Sequence, residues 1–139
     1  METKRIGNIG EILTQSKFVQ RGIPIYIPFG ENEKADLIAE FNGKLNKIQI
    51  KTSERLINNK IIWRLSSRTV NKCHKYTSDE VDYFALYNLE TGIHLLIPFK
   101  DLDGRASLYI TIPYKPSKNQ YKDFNWEDYT FEKILDIPK

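Results

Sequence analysis

Apolar and polar positions alternate along this chain in two periods. Ile6, Ile9, Ile12 and Leu13 recur at helical spacing, which predicts a helix over residues 6–20. Arg21-Gly22 ends it, with Gly22 suited to the left-handed C-terminal position. Ile23 to Phe29 (IPIYIPF) alternates and is β-branched and aromatic, so it predicts a strand, and its prolines place that strand at a sheet edge. Gly30 to Lys34 is a loop. Ala35 to Phe41 and Leu45 to Thr52 then read as two strands around Asn42-Gly43, a type I′ hairpin signal. Lys60 to Ser66 predicts a further strand. Ser66 to Tyr76 is polar and basic without periodicity, so it reads as a loop. Thr77 or Ser78 caps a short helical turn holding Asp79 and Glu80.

The second half continues in strands. VDYFALYNL and GIHLLIPF are two strands joined by Glu-Thr-Gly, Lys100 to Gly104 is a turn, and Ser107 to Ile112 is a short strand. Pro113 to Lys122 has no apolar periodicity and reads as an exposed, mobile segment. NWEDYTFEKILDI predicts a terminal helix capped by Asn125. Its aromatic residues offer either an interface or packing on their own domain. One helix followed by successive strands predicts an α+β fold, a mixed β-sheet flanked by the N-terminal helix. A length of 139 residues fits one domain, residues 1–139, with 113–139 as a C-terminal extension.

Composition narrows the classes. Cys73 is the one cysteine, so no intramolecular disulfide forms, and His74 and His94 have no zinc-type partners nearby. No stretch approaches the roughly 20 apolar residues of a membrane span, and the N-terminus lacks the apolar core of a signal peptide. A cytoplasmic location and no membrane partner are expected. The net charge is only +3, but it is unevenly placed. From Lys44 to Lys75 the chain is strongly basic and Glu54 is the sole acid. Such a stretch is either a solvated basic face or a footprint for a polyanion.

The hairpin concentrates the chemistry. With a two-residue turn, Phe41 faces Lys44, Glu40 faces Leu45, Ile38 faces Lys47, Leu37 faces Ile48 and Asp36 faces Gln49. Facing residues have Cβ atoms about 5 Å apart on one face of the sheet. Lys51, two residues beyond Gln49, shares that face, while Ile48 and Ile50 point to the core. Taken singly, each polar residue here reads as a solvated surface residue. Together, a carboxylate, an amide oxygen and the Ile50 backbone carbonyl are hard ligands that suit Mg²⁺. A lysine beside them can orient water or neutralise charge on a phosphate.

The order GNIGE on a helix, Asp36 on a strand and QIK on the next strand resembles the PD-(D/E)XK nuclease superfamily. More narrowly, GNIGE with RGIPIYIPFGENEKADLIAEFNGKLNKIQIKTS is similar to the PD-(D/E)XK homing endonucleases encoded in bacterial group I introns, as is KYTSDEVDYFALYNLETGIHLLIP downstream. Archaeal Holliday junction resolvases share the core more distantly. The resemblance covers roughly residues 6–110 and implies a restriction-endonuclease-like core. It implies that Glu11, Asp36, Gln49 and Lys51 are catalytic, with Asp36, Gln49, Glu11 and the Ile50 carbonyl at the metal. Gln49 departs from the usual acid, so the site is less negative than in most of the superfamily. The implied cofactor is Mg²⁺, with Mn²⁺ substituting, and the implied partner is double-stranded DNA.

Hydroxyls and cations common at phosphates nominate Lys47, Arg55, Arg64, Ser66, Ser67, Arg68, Thr69, Lys72 and Lys75 for DNA contact, with Tyr76 either stacking or in the core. Asp82 is read as structural. Two-strand cutting with one site per chain implies a homodimer or a higher symmetric assembly, and the resemblance to the intron-encoded group implies a homotetramer. The expected activity is Mg²⁺-dependent, site-specific DNA cleavage of the homing type. A junction resolvase, a restriction or repair nuclease of the same fold, and a non-catalytic DNA-binding module remain alternatives.

Overall fold

The computed structural model describes residues 2–30, 35–69, 72–102, 104–116 and 124–136, with only the backbone of 67–69, 72 and 73. Helix α1 spans Thr3–Gln20 and buries Ile6, Gly10, Thr14 and Phe18. This is not the predicted stripe: Ile12 and Leu13 face outward, at 64% and 37% exposure. The difference is steric. A Cβ on Gly10 would lie 1.9 Å from Thr52 Oγ1, so the helix turns its smallest residue to the sheet. Gly22 follows with φ of 71°, the left-handed conformation its sequence position called for.

Five strands form the main sheet in the order β1 (Ile25–Tyr26), β2 (Leu37–Phe41), β3 (Lys44–Ser53), β7 (Tyr83–Asn88) and β8 (His94–Pro98). β3 and β7 are parallel and the other pairs antiparallel, so the sheet is mixed and the fold α+β as expected. β1 is shorter than predicted. Pro24 and Pro28 lack the N–H a ladder needs and leave it two residues at the edge. The β2–β3 turn has φ of 56° at Asn42 and 70° at Gly43, as a type I′ turn requires.

One core lies between α1 and the sheet and includes Phe18, Leu37, Ile48, Ile50, Ala85 and Leu96. The second lies on the opposite face, where β7 and β8 pack against a ribbon of β4 (Lys60–Arg64) and β9 (Ser107–Thr111) through Trp63, Phe84, Leu86, Leu95, Ile97 and Leu108. Burial on both faces explains why β7 and β8 read as nearly continuous apolar runs.

Residues 66–76, expected as a loop, instead form a hairpin. β5 (Ser66–Thr69) pairs antiparallel with β6 (Lys72–Lys75), from Ser66 opposite Lys75 to Thr69 opposite Lys72. Its strands alternate no apolar face, so main-chain pairing is present without the sequence period that marks strands. Residues 31–34 and 117–123, which include most of two predicted loops, lie outside the described residues.

The predicted terminal helix is two pieces. Asn125 caps a 3-10 helix over Trp126–Tyr129 through its side chain, and Thr130 caps α2 (Phe131–Leu135) through Lys133 N–H. The break lets Thr130 bridge to Leu95 and buries Phe131 completely, 5.3 Å from the Phe18 ring and 4.5 Å from His94. Arg21 holds Asp136 through two bonds of 2.8 and 3.1 Å, and Lys17 holds Glu132 at 2.8 Å. Of the two readings of the tail, packing on its own domain is the one seen. Burial also holds His94 neutral, lowering its pKa to about 3, while its Nε2 meets Thr14 Oγ1 at 2.8 Å.

Candidate active site

β2 pairs with β3 as far as Leu37 opposite Ile48 in the predicted register, but the expected pairing of Asp36 with Gln49 is not formed. Beyond that point β3 runs on to Ser53 beside β7 alone. Its backbone groups alternate in direction. The carbonyls of Lys47 and Ser53 accept from Asp82 and Leu89 N–H, each at 2.9 Å, so odd-numbered residues turn toward β7. Ile48 and Ile50 therefore turn toward the vacated β2 side. Asp36 fills that gap. Its N–H donates to the Ile48 carbonyl at 2.9 Å, and its carboxylate Oδ2 accepts from Ile50 N–H at 2.8 Å. The same alternation directs the Ile50 carbonyl to the side where the Asp36 carboxylate sits.

The side chains of Gln49 and Lys51 emerge on the face opposite the buried Ile48 and Ile50. Gln49 is 7% exposed, and its Oε1 is a buried oxygen with no hydrogen-bond partner. Thr52 Oγ1, beside Gly10, is a second such atom. A buried oxygen without a donor costs about 1–3 kcal/mol, so a group that accepts its lone pair is favoured there. Among the described residues no set of three His, Cys, Asp or Glu side chains could hold a metal ion. The carboxylates of Asp36 and Glu11, the Gln49 amide oxygen and the Ile50 carbonyl are all hard oxygen donors, the type that Mg²⁺ takes.

The electrostatics tie these residues together. Burial raises the Asp36 pKa, opposed by the Ile50 hydrogen bond and the Lys51 charge. Burial also raises Glu11, and Asp36 raises it further, so the helix glutamate feels the strand aspartate. Burial lowers Lys51; Asp36 opposes this, and Arg64 adds to it by repulsion. Two acids that resist ionisation are poised to gain from a cation between them.

The chain matches the PD-(D/E)XK endonuclease family over residues 1–132. It is a PD-(D/E)XK endonuclease. Its fold is that of the structure described as a bacterial homing endonuclease, I-Ssp6803I, with a TM-score of 0.76 over 97% of this chain and 93% of that one, at 18% identity. Among curated proteins, none matches the sequence significantly. Among the described residues no helix is long and apolar enough to cross a membrane.

The DNA-contact residues expected from sequence divide in this endonuclease. Arg64 is exposed on β4 and within electrostatic reach of Lys51, and Arg55 and Lys75 are exposed. Ser66 and Tyr76 are buried, at 5% and 9% exposure, and belong to the interior rather than to a contact surface. Lys47 is engaged elsewhere, its Nζ donating to the Asp79 carbonyl at 2.7 Å. The side chains of Ser67, Arg68, Thr69 and Lys72 lie outside the described ones. Asp82 is structural as read, accepting from Lys47 N–H at 2.8 Å and pairing with Lys44 at 3.4 Å. Sequence reasoning missed the close approach of Gly10 to Thr52 and the place of Tyr76 under Lys51. Only the GNIGE motif hinted at the first.

Proposed function

We propose that this endonuclease hydrolyses phosphodiester bonds of double-stranded DNA with Mg²⁺, for which Mn²⁺ substitutes, at a specific site as a homing-type enzyme. The observation that carries the reading is the unpartnered, buried Gln49 Oε1 on the strand whose next N–H is held by Asp36. Asp36, Gln49 Oε1, the Ile50 carbonyl and Glu11 would hold the cation. A bound divalent cation supplies a lowered water pKa and neutralises phosphate charge.

The protein's own groups do the rest. Asp36 is locked by the Ile50 N–H, so its carboxylate is oriented before substrate arrives. Lys51, half-buried on the same face, neutralises charge that develops on the phosphate or helps take the proton from the attacking water. Arg64, within electrostatic reach of Lys51, would supply the basic approach to the site together with exposed Arg55 and Lys75. Cleavage of both strands calls for two sites, so a symmetric homodimer or homotetramer is the acting species. The homing reading draws on the neighbour's description and on the sequence resemblance.

The test is cleavage of a random-library duplex and of a four-way junction, each with Mg²⁺ and with EDTA. Metal-dependent cutting at one long duplex site supports the proposal. Symmetric cutting of the junction alone makes the enzyme a resolvase, and binding without cutting in either makes it a DNA-binding module.

A further inference from the structure

The Lys51 ammonium lies 5.2 Å from the centroid of the Tyr76 ring. That distance is within the range at which a cation is attracted to an aromatic face. Among the described residues no carboxylate pairs with this ammonium. A lysine side chain has several rotatable bonds, and a reacting phosphate requires one of its many positions.

The ring beneath it is fixed. Tyr76 follows β6 directly and is 9% exposed within the second core. Phe84, on β7 opposite Gln49, meets it edge-on at 5.7 Å and 79°. His74 meets it at 5.6 Å and 82° from within β6. His74 is itself held, with Nε2 2.9 Å from Glu80 Oε1, and Glu80 Oε1 also accepts from Thr77 N–H at 3.0 Å. The ring is therefore clamped from the sheet and from the hairpin together.

We infer that Tyr76 is a positioning residue: its clamped ring holds the Lys51 ammonium over the reaction site by a cation–π contact. The hairpin then has a part in catalysis beyond any touch with DNA, because it fixes the ring. The tyrosine acts through the lysine and does not itself meet the substrate. This inference uses the nuclease reading for its kinetic consequence, but the contact itself does not depend on it.

The experiment has two arms. In the first, NMR of carbon-13-labelled lysine side chains is recorded, with the Lys51 signal assigned by its loss in Lys51→Arg. The ring current should shift the Lys51 Hε protons upfield in wild type and in Tyr76→Phe, and the shift should vanish in Tyr76→Leu. In the second, single-turnover cleavage is compared with DNA affinity for Tyr76→Phe, Tyr76→Leu and a mono-, di- and trifluorophenylalanine series at position 76. The rate should stay within ~3-fold in Tyr76→Phe, fall about 10-fold in Tyr76→Leu, and fall stepwise with each fluorine, while affinity is unchanged. The fluorinated series preserves ring shape, so it answers even where Tyr76→Leu folds poorly. An unshifted Lys51 signal in wild type, or a rate indifferent to fluorination, overturns the inference. A wild type that cuts no DNA defeats the nuclease reading instead, and the NMR arm still decides the contact.

Discussion

Two aspartates do the same thing to the same strand, from opposite sides. Asp82 accepts a β3 N–H, that of Lys47, at 2.8 Å, and Asp36 accepts another, that of Ile50, at 2.8 Å. Their surroundings differ. Asp82 is partly exposed and has Lys44 across from it. Burial raises the Asp36 pKa, and a second acid, Glu11, lies close enough that the Asp36 charge raises its pKa further. The orphaned Gln49 oxygen belongs to the residue just before the one Asp36 holds. One carboxylate is matched by its neighbours and spent on holding β3 to β7. The other is left electrostatically unsatisfied, which suits a site that completes itself by binding something positive. The hydrogen bond alone does not distinguish structural from functional acids; the company each keeps does.

The sharpest way to break this contrast is Lys51→Ala. Cleavage should fall by about a thousandfold while folding and most DNA affinity remain, as read by single-turnover rates beside a binding titration. Retained cleavage would remove the lysine from the site. Gly10→Ala comes next. The new methyl meets Thr52, a stiff β-branched residue, so α1 must move off β3 at a cost of about 1–3 kcal/mol. Glu11 moves with it, so activity should drop along with the urea midpoint; an unchanged midpoint would show that the helix yields freely.

The two aspartates then separate by stability. Asp82→Ala leaves Lys47 N–H without its acceptor and should cost about 1–2 kcal/mol, with specific activity of the folded enzyme unchanged. Asp36→Asn should do the reverse. Burial raises the Asp36 pKa in the folded protein, so the fold holds that proton more tightly than the unfolded chain. Stability linked to it is present at low pH and is lost as pH rises from the unfolded carboxylate value through the raised folded one. The asparagine keeps an acceptor for Ile50 N–H and removes the charge. Its thermal midpoint in metal-free buffer at neutral pH should therefore rise by a few degrees, and the gain should shrink toward acid pH. A lower midpoint at neutral pH would mean that the Asp36 charge is already satisfied.

What could be read from sequence depended on which physics carried each feature. The Asn42-Gly43 turn determined its own conformation, so the β2–β3 register was legible as far as Leu37, while the turn of Asp36 onto the Ile50 N–H, in place of a pairing with Gln49, was not. α1 was legible as a helix, but its buried face was not. Apolar periodicity pointed to Ile12 and Leu13, whereas the contact is made by Gly10, whose lack of a side chain is invisible to a hydrophobic count. The β5–β6 hairpin was read as a loop because its pairing is held by backbone and leaves no period. The place of Tyr76 was hidden for the same reason: of its two readings, stacking or core, the core is the one seen, and its position beside Lys51 had no sequence sign. Without the hairpin, nothing in the sequence brings residue 76 beneath residue 51. Thr130 likewise divides the tail through a bridge to Leu95, a long-range contact with no local sign.

The most direct test of the Asp36 side of β3 as the active site is Mg²⁺-dependent cleavage by wild type, Asp36→Asn and Asp82→Asn, measured side by side on the same duplex. The account predicts cutting by wild type and Asp82→Asn, and no cutting by Asp36→Asn although it still binds DNA. Cleavage by Asp36→Asn at the wild-type rate would contradict it.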